Sequence, residues 1–156
     1  MKIRYRLGRP EDSAAIGLLA RRVTRRWILT EQPASAAAPL LHGMSAKSIR
    51  QKMRKGQRFH LAWRDDGTLV GVAAMRDDCH LFQFFVSTRM HGHGIARQLW
   101  QRAMSDAMRR AGTRRFTLKA SAMAVPVYLH FGFVRSGPLL VSDTGLVTQP
   151  MHLQLP

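Results

Sequence analysis

Phe84-Phe85-Val86-Ser87-Thr88-Arg89-Met90-His91-Gly92-His93-Gly94-Ile95-Ala96-Arg97 is the stretch on which the fold turns. An aromatic and aliphatic run ends at Val86, a turn with two glycines follows, and a helical period begins at Gly94. Ile95, Leu99, Ala103, Ala107 and Ala111 form one apolar row of that helix, with Trp100, Met104 and Met108 in the adjacent row. Arg97, Gln98, Gln101, Arg102, Asp106, Arg109 and Arg110 make the predicted polar face, and Gly112 is placed to end the helix. A strand that feeds a helix through such a turn leaves free N–H groups at the positive end of the helix dipole, which is an anion site. Gly92 and Gly94 allow the main chain to approach a diphosphate with no intervening side chain. The lysine and hydroxyl of a Walker loop are missing, as is the G-x-G-x-x-G spacing of a dinucleotide fingerprint. On these residues alone, a phosphate site and a plain strand-to-helix turn both stay open.

Working outward, residues 2–7 alternate as a first strand, and Pro10-Glu11-Asp12-Ser13 suits the first turn of a helix. Ile16, Leu19, Ala20, Val23 and Trp27 mark its buried stripe, with Arg21, Arg22, Arg25 and Arg26 on a solvated side. Residues 30–44, interrupted by Pro33 and Pro39, read as a loop over a binding site. Ser45 caps a short helix that runs to Gly56, with Ile49 and Met53 facing inward. Residues 59–63 and 69–75 are strands joined by an Asp65-Asp66-Gly67 turn, and 79–86 is a central strand. Downstream come a strand at 115–119, a short helix at 122–131 and a terminal hairpin of 133–141 with 146–155. This order predicts one α/β domain over residues 1–156, built on a mixed sheet.

The composition fits a packed core: 46% of the 156 residues are hydrophobic and 22% charged. No apolar run reaches the roughly 18 residues needed to span a bilayer, and the opening Met1–Arg6 lacks the apolar core of a secretory signal. Cys79 stands alone and cannot form an internal disulfide, so the expected location is the cytoplasm. The net charge of +16, carried by 20 arginines and 5 lysines, attracts anions in general, including phosphorylated cofactors and RNA. Solvated helix faces account for most of it, and no aromatic-interleaved motif points to RNA, so nucleic acid is not the expected partner.

Two motifs carry a resemblance. His91-Gly92-His93-Gly94-Ile95-Ala96 resembles the acyl-CoA signature [Q/R]-x-x-G-x-[G/A] of the GNAT acetyltransferases, and His91 follows the strand-final Val86 by five residues. Ser121-Ala122-Met123-Ala124-Val125-Pro126-Val127-Tyr128-Leu129-His130-Phe131-Gly132-Phe133 resembles the family's N-x-x-A-x-x-[L/F]-Y-x-x-x-G-F. The motifs lie in the family's order, with a helix and a strand between them. His91 stands where the family usually has arginine or glutamine, and Ser121 where asparagine is common. The resemblance implies a mostly antiparallel central sheet flanked by about four helices, and transfer of an acetyl group from acetyl-CoA to a primary amine by direct attack in a ternary complex. It implies that the backbone of Phe84, Phe85 and Val86 pairs with the pantetheine arm, with one N–H polarising the thioester carbonyl. Residues His91, Gly92, His93, Gly94, Ile95, Ala96 and Arg97 then hold the pyrophosphate, and Ser121 and Ala124 complete the cofactor contacts. Tyr128 matches the general acid that meets the departing thiolate. A phenol pKa near 10 against about 8.5 for a thiol opposes full proton transfer by roughly 2 kcal/mol, so hydrogen-bond donation counts as much as delivery.

The base is less defined. Several relatives use a glutamate on the strand before the first motif, and Phe82 occupies that position here. Strict alternation would put His80 on the same face as Phe82 and Phe84, which makes His80 the candidate base, directly or through water. Asp77, Asp78 or no dedicated base are the alternatives. His91, His93 and His130 match no common metal-ligand spacing, so no metal is expected. The acceptor pocket is expected from the first helix, residues 28–48 and the terminal hairpin. Glu31, Asp77 and Asp78 are available to attract a cationic amine, while the basic excess argues against polyamines. A homodimer through the C-terminal strands fits the family pattern. The competing functions are a non-catalytic acyl-CoA sensor and a basic nucleic-acid-associated module.

Overall fold

The computed structural model describes residues 2–156. β1 (Ile3–Leu7) leads through a 3-10 turn into α1 (Ser13–Val23), which widens into a π turn over Thr24–Ile28. Residues 29–36 make two 3-10 turns, followed by α2 (Ala37–His42) and α3 (Ala46–Arg54). The Ser45 hydroxyl accepts from the Ser48 N–H and caps α3, as its position predicts. Next come β2 (Arg58–Arg64), β3 (Leu69–Arg76), β4 (His80–Val86), α4 (Ile95–Ala111) and β5 (Arg115–Ala120). α5 (Val125–His130), β6 (Val134–Arg135), β7 (Leu140–Val141) and β8 (Val147–Gln154) complete the order. Among the described residues, no helix is long and apolar enough to cross a membrane.

The sheet runs β1-β2-β3-β4-β5-β8-β6, with β7 also paired to β8. Every pairing is antiparallel except β4 with β5, where α4 supplies the crossover. One core lies under α4, around Leu99, Trp100, Phe116 and Phe133, and the other under α1 and α3, around Ile16, Ile49, Phe59 and Leu61. Gly71 on β3 is what lets α4 sit so close. A Cβ there would lie 2.7 Å from Leu99 Cδ1 and 3.1 Å from Ile95 Cγ2.

Four expectations change. Residues 30–44 are not a bare loop, because the alanine-rich part coils into 3-10 turns and α2. The first arm of the terminal hairpin is not continuous. It divides into β6 and β7 around Gly137-Pro138, where proline has no N–H for the ladder. Asp106 is not on a solvated face: it is 6% exposed, held by Arg58 at 2.6 Å and Arg109 at 3.0 Å, with His60 Nε2 at 3.4 Å. Finally, β4 carries a bulge. Gln83 pairs with Ala74 and Leu81 with Met75, leaving Phe82 as an extra residue. That extra residue resets the alternation, so His80 and Phe82 fall on the α1 side and Phe84 on the α4 side.

Candidate active site

β4 and β5 are paired only at His80–Thr117 and Leu81–Leu118. Beyond that point β4 runs on to Val86 without a ladder partner on its β5 side, and the two strands part. The opening is a cavity of about 510 Å³ lined by Phe84, Phe85, Val86 and Ser121 along its walls, with Tyr128 at its base. Its upper end is the turn into α4, where His91, Gly92, Gly94, Ile95 and Ala96 line it. Gly92 and Gly94 have φ of +85° and +76°, the left-handed region that favours glycine, and a Cβ at either would meet open space. Gly94 caps α4 with no side-chain hydrogen bond, so the first N–H groups of a 17-residue helix face the cavity's end unclaimed. Main-chain donors, an uncovered strand edge and open glycines fit an extended ligand made of amides and phosphates.

The expected residues are mostly brought together here. Ala124 lines the cavity, and Ser121 starts the turn into α5 with its hydroxyl uncommitted. His91 turns its side chain back to the strand, with Nε2 3.1 Å from the Val86 carbonyl. His93 and Arg97 are exposed beside the cavity rather than in its lining, and Arg97 donates to His130 Nε2 at 3.0 Å. Trp27 is a lining residue that its apolar spacing disguised as core. The π turn re-aims it, and its indole N–H donates to Thr88 Oγ1 at 3.0 Å, bracing the glycine turn.

Tyr128 sits edge-on to Phe84, with ring centroids 6.0 Å apart, and against Phe133 at 5.8 Å. Burial raises its phenol pKa well above the usual value, and no protein group among the described residues hydrogen-bonds its hydroxyl. The hydroxyl is therefore a protonated donor without a partner in the protein. Tyr128, Phe84, Ser121 and Ala124 also wall a second cavity of about 310 Å³ on the other side. Ile28, Gln32, Leu40 and Met44 enclose it, so the 28–44 segment does border a cavity. That segment is pinned to the C-terminal strands: Gln32 exchanges hydrogen bonds with the Val147 backbone at 2.8 and 2.9 Å, and Ser35 donates to the Thr144 carbonyl at 2.6 Å.

His80 lines this second cavity, not the first. Its Nδ1 is 2.8 Å from Thr117 Oγ1. Burial lowers the imidazole pKa, and Arg76 and Lys119 lower it further. Across the bulge, His80 and Phe84 stand opposite Arg76 and Ala73, three β3 steps or about 10 Å apart at 3.3 Å per residue. No carboxylate lines either cavity.

The acetyltransferase (GNAT) domain model matches residues 28–155. The chain belongs to the GNAT acetyltransferase family. GNAT structures share its fold along nearly the whole length. A GCN5-related N-acetyltransferase from Rhodopseudomonas palustris superposes with a TM-score of 0.83 at 18% identity, covering 99% of this chain and 97% of that one. The PaiA N-acetyltransferase of Thermoplasma acidophilum, solved with coenzyme A, gives 0.76 at 16% identity over 99% of both chains. A spermidine N-acetyltransferase, the SpeG chimera from Vibrio cholerae and hSSAT, gives 0.67 at 16% identity, covering 99% and 96%. No curated protein sequence matches significantly. GNAT acetyltransferases use acetyl-CoA, and in this chain β4 and β5 part beside the larger cavity.

Proposed function

We propose that residues 1–156 act as one catalytic unit that transfers an acetyl group from acetyl-CoA to a primary amine within a ternary complex. The observation that carries this is the union, in one cleft, of an unpaired β4 edge, an open glycine cradle at the start of α4, and the unpartnered Tyr128 hydroxyl. The pantetheine amides lie along Phe84 to Val86 as an added strand, satisfied by main-chain groups. The pyrophosphate rests on the turn from His91 to Arg97. Ser121 and Ala124 close the opposite wall. The amine enters from the smaller cavity on the far side of Phe84 and Tyr128.

In the reaction the amine nitrogen bonds to the thioester carbon, and the carbon–sulfur bond breaks. An N–H of the β4 edge stabilises the negative oxygen that develops. The Tyr128 hydroxyl donates to the departing sulfur. Because its pKa is raised, hydrogen bonding to the thiolate matters more than complete transfer of the proton. With no carboxylate lining either cavity, the amine's own proton leaves through water, with His80 as the nearest neutral base.

Calorimetric titration with acetyl-CoA, with ATP as control, tests the donor site. Wild type is expected to bind acetyl-CoA selectively. Gly94→Glu, which adds negative charge and left-handed strain of about 1–2 kcal/mol at the cradle, is expected to lose that binding while keeping its fold. Normal affinity in a folded Gly94→Glu protein would sink the assignment.

A further inference from the structure

The charge lining the smaller cavity discriminates among amines. Its charged residues are Arg76 and Lys119, which flank His80, with no acid among the lining residues. Lys119 has no ion-pair partner among the described residues. Arg76 reaches only its neighbour Asp77, at 3.9 Å, and that carboxylate is 83% exposed. The acids that sequence alone offered as attractors for a cationic amine do not serve the cavity. Asp78 is paired with Arg110 at 3.2 Å, and neither Glu31 nor Asp77 lines the space.

The topology explains why two cations meet there. Arg76 pairs with His80 across the β3–β4 hairpin, and His80 pairs with Thr117, two residues before Lys119 on β5. Paired residues and residues two apart on a strand share a sheet face, so both cations stand on the His80 face and line the same cavity. The rest of the cavity is uncharged and mostly apolar, with Leu40, Met44, Phe82 and Leu146 beside the polar Gln32, Ser121 and Thr148. Its volume of about 310 Å³ is at the low end for small-molecule sites, which run from about 300 to 1,000 Å³.

A polyamine in this space meets like charge and finds no acid to pair with, whereas an amine with its own anionic group brings the missing partner. We infer that the acceptor is a small primary amine that also carries an anionic oxygen group, with its carboxylate or phosphate against Lys119 and Arg76 and its amine directed toward Tyr128. This rests on the acyltransferase reading above and narrows it to a substrate class. The similarity in fold to a spermidine acetyltransferase carries no weight against it, because the two chains share 16% identity.

The test begins with acetyl-CoA binding, then measures free-thiol release with matched acceptors: leucine against leucinamide, 4-aminobutyrate against butylamine, O-phosphoethanolamine against ethanolamine, and spermidine. Binding of the same compounds to the CoA-saturated protein is read by calorimetry, so that slow turnover does not hide a preference. At least one anionic member is expected to exceed its uncharged-tail partner tenfold or more in kcat/KM or in affinity. The carboxylate and phosphate pairs tell the two anion sources apart. Lys119→Glu is expected to erase or reverse the preference, and Arg76→Glu to weaken it. Preference for spermidine or for the tail-neutral partners overturns the inference while leaving the enzyme intact, as does a preference unmoved by Lys119→Glu. Failure to bind acetyl-CoA is a different result: it removes the acyltransferase reading and the inference with it.

Discussion

Tyr128→Phe removes one oxygen and little else. The hydroxyl has no protein partner among the described residues, so its loss leaves no orphaned donor or acceptor behind. The ring's contacts with Phe84 at 6.0 Å and Phe133 at 5.8 Å persist in phenylalanine. Thermal stability should therefore change little. Acetyl-CoA affinity should also hold, because the hydroxyl acts on the sulfur only as negative charge builds there. A hydrogen bond to a charged group is worth about 1.5–3 kcal/mol, and about 1.4 kcal/mol is a factor of ten. The acetylation rate is accordingly expected to fall by about ten- to 150-fold at saturating substrate. The assay is thiol release under saturation, with calorimetric affinity and melting temperature measured on the same preparation. Since burial holds the phenol protonated beyond its usual range, any basic limb in the wild-type profile below pH 10 belongs to another group. A variant with unchanged rate at saturation would remove Tyr128 from the chemistry and leave it a packing residue of α5.

If His80 receives the amine's proton, the acid limb of kcat/KM rises with pH through a midpoint below the usual imidazole value, because burial, Arg76 and Lys119 all lower its pKa. His80→Gln should abolish that limb, and a limb that survives in the variant excludes His80. Asp106→Asn leaves Arg58, and its neighbour His60, without their buried counter-charge. Breaking such a pair costs about 3–5 kcal/mol, or roughly 6–20 °C in melting temperature at this chain length. In wild type, burial of Asp106 is the largest single influence and opposes its ionisation, but the Arg58 hydrogen bond and the charges of Arg58, His60 and Arg109 together outweigh it, and its pKa is lowered. Its stabilisation is thus present above the ordinary carboxylate pKa near 4 and lost as pH falls through the lower folded value. Urea melts between pH 3 and 6 should show that loss in wild type and not in the variant.

What sequence could convey about this site followed from how local each feature is. The α4 stripe from Ile95 to Ala107, the two glycines of the turn and the Ser45 cap are set by residues a few positions apart, and each appears where spacing put it, while Ala111, predicted to extend the stripe, is exposed at the helix end. The bulge at Phe82 depends on registry with β3, so alternation along β4 alone assigned His80 to the face of Phe84. Asp106 looked solvated because helical period places it among arginines, while the residue that buries it, Arg58, comes from β2, 48 positions away. Trp27 kept core spacing but changed direction when the helix widened. The break in the last hairpin did have a local signal, Gly137-Pro138, which outweighed the apolar run around it.

The same division separates the two halves of the site. The proposed donor half is built from main-chain groups: the free edge of β4, the N–H groups at the start of α4, and a turn whose φ values of +85° and +76° favour glycine. Many side chains can support such a backbone, which is why His91 and Ser121 depart from the family pattern with the cradle's form intact. The proposed acceptor half is built from side chains that meet through distant pairings: Lys119 and Thr117 from β5, Arg76 and His80 from the hairpin, and Gln32 fastened to Val147. A substitution there changes charge or shape on one side of Tyr128 without moving the strand edge on the other. Acceptor preference should therefore be separable from donor affinity. Lys119→Glu tests this most sharply, because it reverses a charge on an exposed strand position that does not itself line the larger cavity.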